Sequence, residues 1–370
     1  MKRLLLLLII ATTIATLAGC DKKPEPALDV TINVTGEIKG ALTGNLIEES
    51  VLLNFDDKPY TVSNGTFTLQ SIKAGPHTLR VEHSGFLKYE KTVTLKADSH
   101  LEIALITTSA PTVTSWGIAY DPGDLKIHNG QIYLPSYDAI WRWSLDGTSQ
   151  NYFAPTSTNY SSITFDDAGV LWGASEERGD VFYLDSTGKN TLIYPALGVF
   201  YDGGNPHGLA VDETYIYLCI WRTSTIRKFR RVDGGLAAEI GITDDSALKE
   251  PARLIFGPDG YLYAAVFDRI VVLTKDLSVL RTFSTMIDDE TESWVSAMAF
   301  GPDGYLYVSD TCNYNFKKFG PDGSFIQKIP ISPLPEFYIR GLAFDDSGTL
   351  YAANDSIRGD WRIYAFSWSY

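Results

Sequence analysis

The chain has 370 residues, with 45 acidic side chains against 31 basic ones and a net charge of −14. So acidic a surface repels nucleic acid and excludes it as a partner. Beyond Cys20 no apolar run approaches the roughly 18 residues that a membrane span needs, and the length exceeds one ordinary domain.

Lys2 and Arg3 precede the apolar run Leu4 to Ile10, and small residues lead up to Cys20. A positive start, an apolar core and a small-residue cleavage site predict a secretory signal peptide. Leu17-Ala18-Gly19-Cys20 resembles the lipobox of bacterial lipoproteins. That resemblance implies cleavage after residue 19, a diacylglycerol on the Cys20 sulfur and anchoring of the mature chain to a membrane through its N-terminal lipid. At about 0.8 kcal/mol per buried CH₂, two or three acyl chains anchor lastingly where one does not. Asp21 resembles an inner-membrane retention signal, so the expected location is the periplasmic face of the inner membrane, within the cell envelope. Residues 20–28 then form a short tether stiffened by Pro24 and Pro26.

Residues 29–107 alternate apolar and polar side chains between turn residues. Val51 to Phe55, Thr66 to Leu69, Thr78 to Glu82 and Lys91 to Leu95 are strand-like, and Asn64-Gly65, Ala74-Gly75-Pro76 and Ser84-Gly85 are turn-like. About seven short strands in so short a segment predict a small β-sandwich. The Asn64-Gly65-Thr66-Phe67 and Ala74-Gly75-Pro76-His77 phrases resemble the carboxypeptidase regulatory-like domain, a transthyretin-like fold. The resemblance implies a spacer or an interaction surface. His77, His83 and His100 have no ligand-pair spacing.

From residue 108 to 370 the chain repeats. Taking Ile118, Ile163, Leu209, Leu254, Met298 and Leu342 as markers, the steps are 45, 46, 45, 44 and 44 residues. A period near 45 in all-β sequence means propeller blades. Phe256-Gly257-Pro258-Asp259-Gly260-Tyr261 and Phe300-Gly301-Pro302-Asp303-Gly304-Tyr305 resemble NHL repeats, which implies a six-bladed β-propeller. The fold class expected for the whole is therefore all-β, a small sandwich followed by that propeller. The sixth copy stops after three strands, and Pro111 to Ser115 is expected to supply its fourth and close the ring. Cys219 and Cys312 fall two blades apart and are expected to be free thiols.

In an antiparallel blade, residues before the first strand and after the second lie at one end. That end gathers Trp116, His207, Trp221, Arg253, Trp294 and Arg340 as candidate ligand-binding residues, the tryptophans for stacking and the arginines for an acidic group. His207 follows Asn205-Pro206 and suits a turn. Glu176, Asp310, Asn313 and Asn354 are donors of the kind that hold a divalent ion in lactonase-like propellers, so a metal-dependent hydrolase is the alternative. A zinc site of three histidines is excluded, because the repeat region holds only His128 and His207. No nucleophile elbow is present. The expectation is a membrane-tethered binding or scaffolding protein for a peptide, a glycan or an envelope protein. It needs no cofactor, and a divalent ion enters only under the alternative.

Overall fold

The computed structural model describes residues 30–368, apart from 109, 119–120, 137–138, 156–159, 176–178, 185–189, 195–205, 242–249, 331–337 and 357–358. Every regular element among the described residues is a β-strand. Cys20 and its neighbours lie outside the described residues, as does Glu176.

The first unit contains a three-stranded sheet, ordered Thr66–Lys73, Thr31–Gly40, Ser99–Leu105, and a four-stranded one, ordered Lys58–Val62, Val51–Phe55, Gly75–Glu82, Tyr89–Leu95. Thr31–Gly40 alternates exposed and buried positions along its length. Its Ile32, Val34 and Ile38 meet Leu53, Phe55, Leu79 and Val81 of the second sheet in one apolar core. Period-two alternation puts a single face of each strand inside.

Six four-stranded antiparallel sheets follow among the described residues, five of them simple meanders in chain order and the last completed by a strand from the start of the region. Their first strands are Lys126–His128, Tyr160–Phe165, Pro206–Val211, Pro251–Phe256, Val295–Phe300 and Ile339–Phe344. Each touches the next, and the last touches the first. Glycine permits this approach at two places. A Cβ on Gly341 would come within 2.2 Å of the Leu125 backbone nitrogen, and one on Gly208 within 2.8 Å of the Arg253 Cα. Second strands such as Leu262–Val266 and Leu306–Asp310 are buried throughout, whereas the outermost Val279–Ser284 alternates at the surface. The fourth strand of the last sheet is Thr112–Gly117, paired with Arg362–Ser367 at the far end of the chain.

One repeated device joins the turn after five of the six first strands to the second strand. Asp259 accepts from the Tyr263 hydroxyl at 2.8 Å, Asp303 from Tyr307 at 2.8 Å, Asp212 from Tyr217 at 3.2 Å, Asp345 from Tyr351 at 3.2 Å and Asp166 from Trp172 Nε1 at 3.0 Å. These aspartates are structural. At this end Leu42 of the first unit packs into the cluster containing Tyr307, Phe316 and Phe366, and a Cβ on Gly348 would strike its carbonyl oxygen. The two units therefore meet at the turn end, opposite the end where the first strands begin.

Candidate functional site

Five first strands share an irregularity in the same place. The register slips between Tyr160 and Ser162, Pro206 and Gly208, Pro251 and Arg253, Val295 and Ala297, and Ile339 and Gly341. Each slip leaves one residue outside the ladder: Ser161, His207, Ala252, Ser296 and Arg340. A β-bulge re-aims the side chain of its extra residue. Four of these five line one cavity of about 280 Å³, together with Trp221, Arg253, Trp294 and Tyr338. The short strand Lys126–His128 carries no bulge, and Ser161 turns its hydroxyl to the Pro206 carbonyl instead.

The cavity walls are aromatic. The His207 and Trp221 rings lie 5.7 Å apart, Trp294 meets Tyr338 edge-on at 5.6 Å, and the Arg340 guanidinium sits 4.6 Å above the Tyr338 ring. Arg340 donates through Nε and Nη2 to Asp355, both at 3.1 Å. Burial alone would lower its pKa, but the Tyr338 and Asp355 charges outweigh that and raise it. Arg253 is buried and spans three strands, donating to the carbonyls of His207 at 3.0 Å, Ala252 at 2.9 Å and Arg340 at 2.9 Å. Its Nε has no partner among the described residues. Burial pushes this guanidinium down from its usual value, with Asp124 opposing. None of the eight cavity-lining residues is a carboxylate. The cavity is an aromatic recess lined by two arginines and no carboxylate, in an acidic protein.

Two clamps hold the aromatic walls. Asp310, fully buried, accepts the backbone N–H of Trp294 at 3.2 Å, and Asn354 accepts that of Tyr338 at 2.9 Å through Oδ1. Thr311 N–H and Asp355 N–H donate back to the carbonyls of Trp294 and Tyr338 at 3.0 and 2.9 Å. Asp310 also accepts from Lys317 Nζ at 2.5 Å, Ser293 Oγ at 2.8 Å and Asn313 Nδ2 at 2.9 Å. Burial raises the Asp310 carboxyl, yet the Lys317, Asn313 and Ser293 bonds carry it below its ordinary range. The oxygens of Asp310 are thus committed to N–H and O–H donors. Asn313 donates its side-chain N–H to Asp310 and to the Glu292 carbonyl at 2.7 Å. Among the described residues, the group of His, Cys, Asp and Glu placed as ligands of one ion is Glu37, His100 and Glu102 in the first unit. Lys39 Nζ already lies 2.6 Å from Glu37 and 3.7 Å from Glu102.

Of the sequence-derived ligand residues, His207, Trp221, Arg253, Trp294 and Arg340 come together in the cavity, and Trp116 does not. Trp116 belongs to the outermost strand of the last sheet, where its ring meets Tyr351 at 6.4 Å. The apolar pattern around Ile118 imitates a first strand, but pairing with Arg362–Ser367 claims it for closure. The first sheet of the circuit instead begins its first strand at Lys126, so Leu125 takes the place given to Ile118. Tyr338 is the residue that the sequence did not single out. It stands 44 positions after Trp294, directly before a first strand as Trp294 is, and this offset is its signal.

Cys219 is buried and Cys312 exposed, both as free thiols. A second cavity, of about 500 Å³, opens at the turn end beside His128, Asn129, Leu145 and Asp345. Asp345 is spent there on Ser347, Thr349 and Tyr351, and the His128 ring is stacked on Phe165 at 4.2 Å. The smaller cavity is thus the better candidate for binding.

The meander sheets arranged around a closed circuit of first strands define a β-propeller. Residues 61–107 match the PEGA domain model. Among solved structures, the chain is similar to virginiamycin B lyase from Staphylococcus aureus at 12% identity and a TM-score of 0.52, covering 70% of this chain and 99% of that one. A streptogramin B lyase structure matches at 14% identity and a TM-score of 0.53, over 69% of this chain and 98% of the other. A protein of unknown function from Bacteroides thetaiotaomicron VPI-5482 matches at 16% identity and a TM-score of 0.52, over 93% of this chain and 99% of that one. Identities this low carry the fold alone. No curated protein matches the chain.

Proposed function

We propose that this protein is an envelope-tethered binding module whose six-bladed, NHL-type propeller captures its ligand in the bulge-lined cavity. The observation that carries this is the convergence of four repeated bulge positions with Trp221, Trp294 and Tyr338 on one recess. Exposed tryptophan, tyrosine and arginine are the side chains that dominate recognition energies. Lipid on Cys20 would hold the chain at the periplasmic face of the inner membrane. The first unit is read as a transthyretin-like, carboxypeptidase regulatory-like sandwich, and its docking at the turn end supports a spacer role, since it leaves the cavity facing away.

The propeller neighbours include lyases, yet a metal-dependent hydrolase would need Asp310 and Asn313 free for an ion. Their hydrogen bonds to Lys317, Ser293, Trp294 and Glu292 favour the binding reading. The test is a panel of octapeptides and of neutral and acidic oligosaccharides titrated into the full chain and its Trp294→Ala variant. Saturable binding of any member that weakens at least tenfold in the variant is the expected result. Equal binding by both proteins to every member would refute the assignment.

A further inference from the structure

The chemistry of the cavity narrows the ligand class, and the reasoning rests on the binding function just proposed. A neutral glycan needs many free donors and acceptors, because each hydroxyl buried without a partner carries a desolvation penalty. This cavity has spent most of its own. Arg253 gives both terminal nitrogens to three carbonyls, Arg340 gives Nε and Nη2 to Asp355, and Ser296 Oγ is shared with Ser309 and Thr311 at 2.9 and 2.8 Å. What remains is aromatic surface and the Nη1 edge of Arg340, from which no described residue accepts a hydrogen bond. That combination suits an apolar or aromatic side chain beside a single anionic group. A run of acidic residues does not suit it, since the chain as a whole carries −14.

A second observation lies on the same face. Phe267 is 47% exposed and Tyr314 63% exposed, and both hold left-handed backbone, with φ of 48° and 51°. Bulky residues are strained there, and glycine or asparagine would relieve the strain at an exposed turn. Both turns attach to the Trp294 segment. The Phe267 carbonyl accepts from Val295 N–H at 2.9 Å, and Thr311, which opens the turn bearing Tyr314, donates its N–H to the Trp294 carbonyl. Trp294 itself is 36% exposed. The segments carrying exposed Phe267, Trp294 and Tyr314 are thus hydrogen-bonded to one another at the cavity's edge, a ledge with two of its three aromatics on left-handed backbone.

We infer that the ligand is a polypeptide segment that seats an aromatic side chain and a neighbouring carboxylate in the cavity while its flanks lie on the Phe267–Trp294–Tyr314 ledge. The probe is a set of fluorescein-labelled octapeptides with Phe-Glu or Trp-Glu at the centre and Ala, Gly and Ser flanks, titrated into the full chain and read by anisotropy. Binding is expected to weaken about tenfold or more when the central Glu becomes Gln, because a charge-assisted hydrogen bond is lost. A similar loss is expected on Arg340→Gln, and a several-fold loss on Tyr314→Asn. Circular dichroism and thermal melts check that each variant is folded.

Oligosaccharides binding in a Trp294-dependent way with no peptide binding up to about 1 mM would overturn this inference and leave the binding function standing. Peptides that bind equally well with Gln in place of Glu would overturn the carboxylate. Failure of peptides and glycans alike would remove both this inference and the function on which it rests.

Discussion

Replacing Lys317 by methionine tests the frame that holds Trp294 in place. Lys317 is fully buried on Asn315–Phe319, and its Nζ donates to Asp310 at 2.5 Å, Glu290 at 2.5 Å and the Thr285 carbonyl at 2.6 Å. Methionine keeps the stem and removes the charge, which strands two carboxylates. Breaking a buried ion pair by removing one partner costs about 3–5 kcal/mol. The lower end applies here. Glu290 keeps Lys328 at 3.0 Å, and Asp310 keeps Ser293, Asn313 and the Trp294 N–H. A loss of about 3 kcal/mol lowers Tm by roughly 6–12 °C for a domain of ordinary size. The assay is differential scanning calorimetry at pH 7, with tryptophan emission as a second readout of Trp294. Because Asp310 is also stranded, the Lys317→Met, Asp310→Asn, Glu290→Gln triple variant should regain part of the loss. A Lys317→Met protein that melts within about 1 °C of wild type would refute the buried triad and its role as a clamp.

Four further outcomes follow from the same geometry. Tyr314→Asn should raise Tm while weakening ligand binding, because left-handed backbone costs a tyrosine roughly 1–2 kcal/mol that asparagine largely avoids; thermal melts beside binding titrations would show both. Gly341→Ala should lower Tm sharply, since its Cβ would press on the backbone of Leu125 at 2.2 Å and backbone cannot yield cheaply. In native protein a maleimide should label Cys312 and spare Cys219, whose thiol is buried and pushed far up by that burial; mass spectrometry before and after urea reads the difference. Burial raises the Asp310 and Glu290 carboxyls, but hydrogen bonds from Lys317 and other partners bring both below their ordinary values. Their contribution is therefore complete above the ordinary carboxylate range near pH 4 and is lost as pH falls through the depressed values. Melting temperatures from pH 7 down to 2 should fall in acid, and less steeply in the triple variant.

Much of the fold was legible because it is repetitive. Apolar first strands recurring every 44 to 46 residues, each followed by a Gly/Asp turn and a second apolar run, gave the propeller from sequence alone. Closure was legible too: Pro111 to Ser115 was expected to pair with the end of the chain, and the pairing found is Thr112–Gly117 with Arg362–Ser367. The one misplaced first strand shows the limit. Trp116 to Ile118 has the local pattern of an inner strand, and only its partner across the ring decides which role it takes.

The site was legible in part for a related reason. Residue types at equivalent blade positions brought out His207, Trp221, Arg253, Trp294 and Arg340, while the bulges that place four of the cavity residues depend on strand pairing that sequence does not display. Asp310 and Asn354 have the donors of a metal site, but sequence cannot show that the backbone of Trp294 and Tyr338 already occupies them. Lys317, placed seven residues beyond Asp310, was equally silent until its burial was seen.

The most direct test of the central claim is where a bound ligand lies. Phe-Glu octapeptides carrying a photoreactive phenylalanine analogue, crosslinked to the full chain and mapped by mass spectrometry, should label Trp221, Trp294, Tyr338 or their immediate neighbours. Labelling concentrated around His128, Asn129 and Asp345, at the turn-end cavity, would contradict the account.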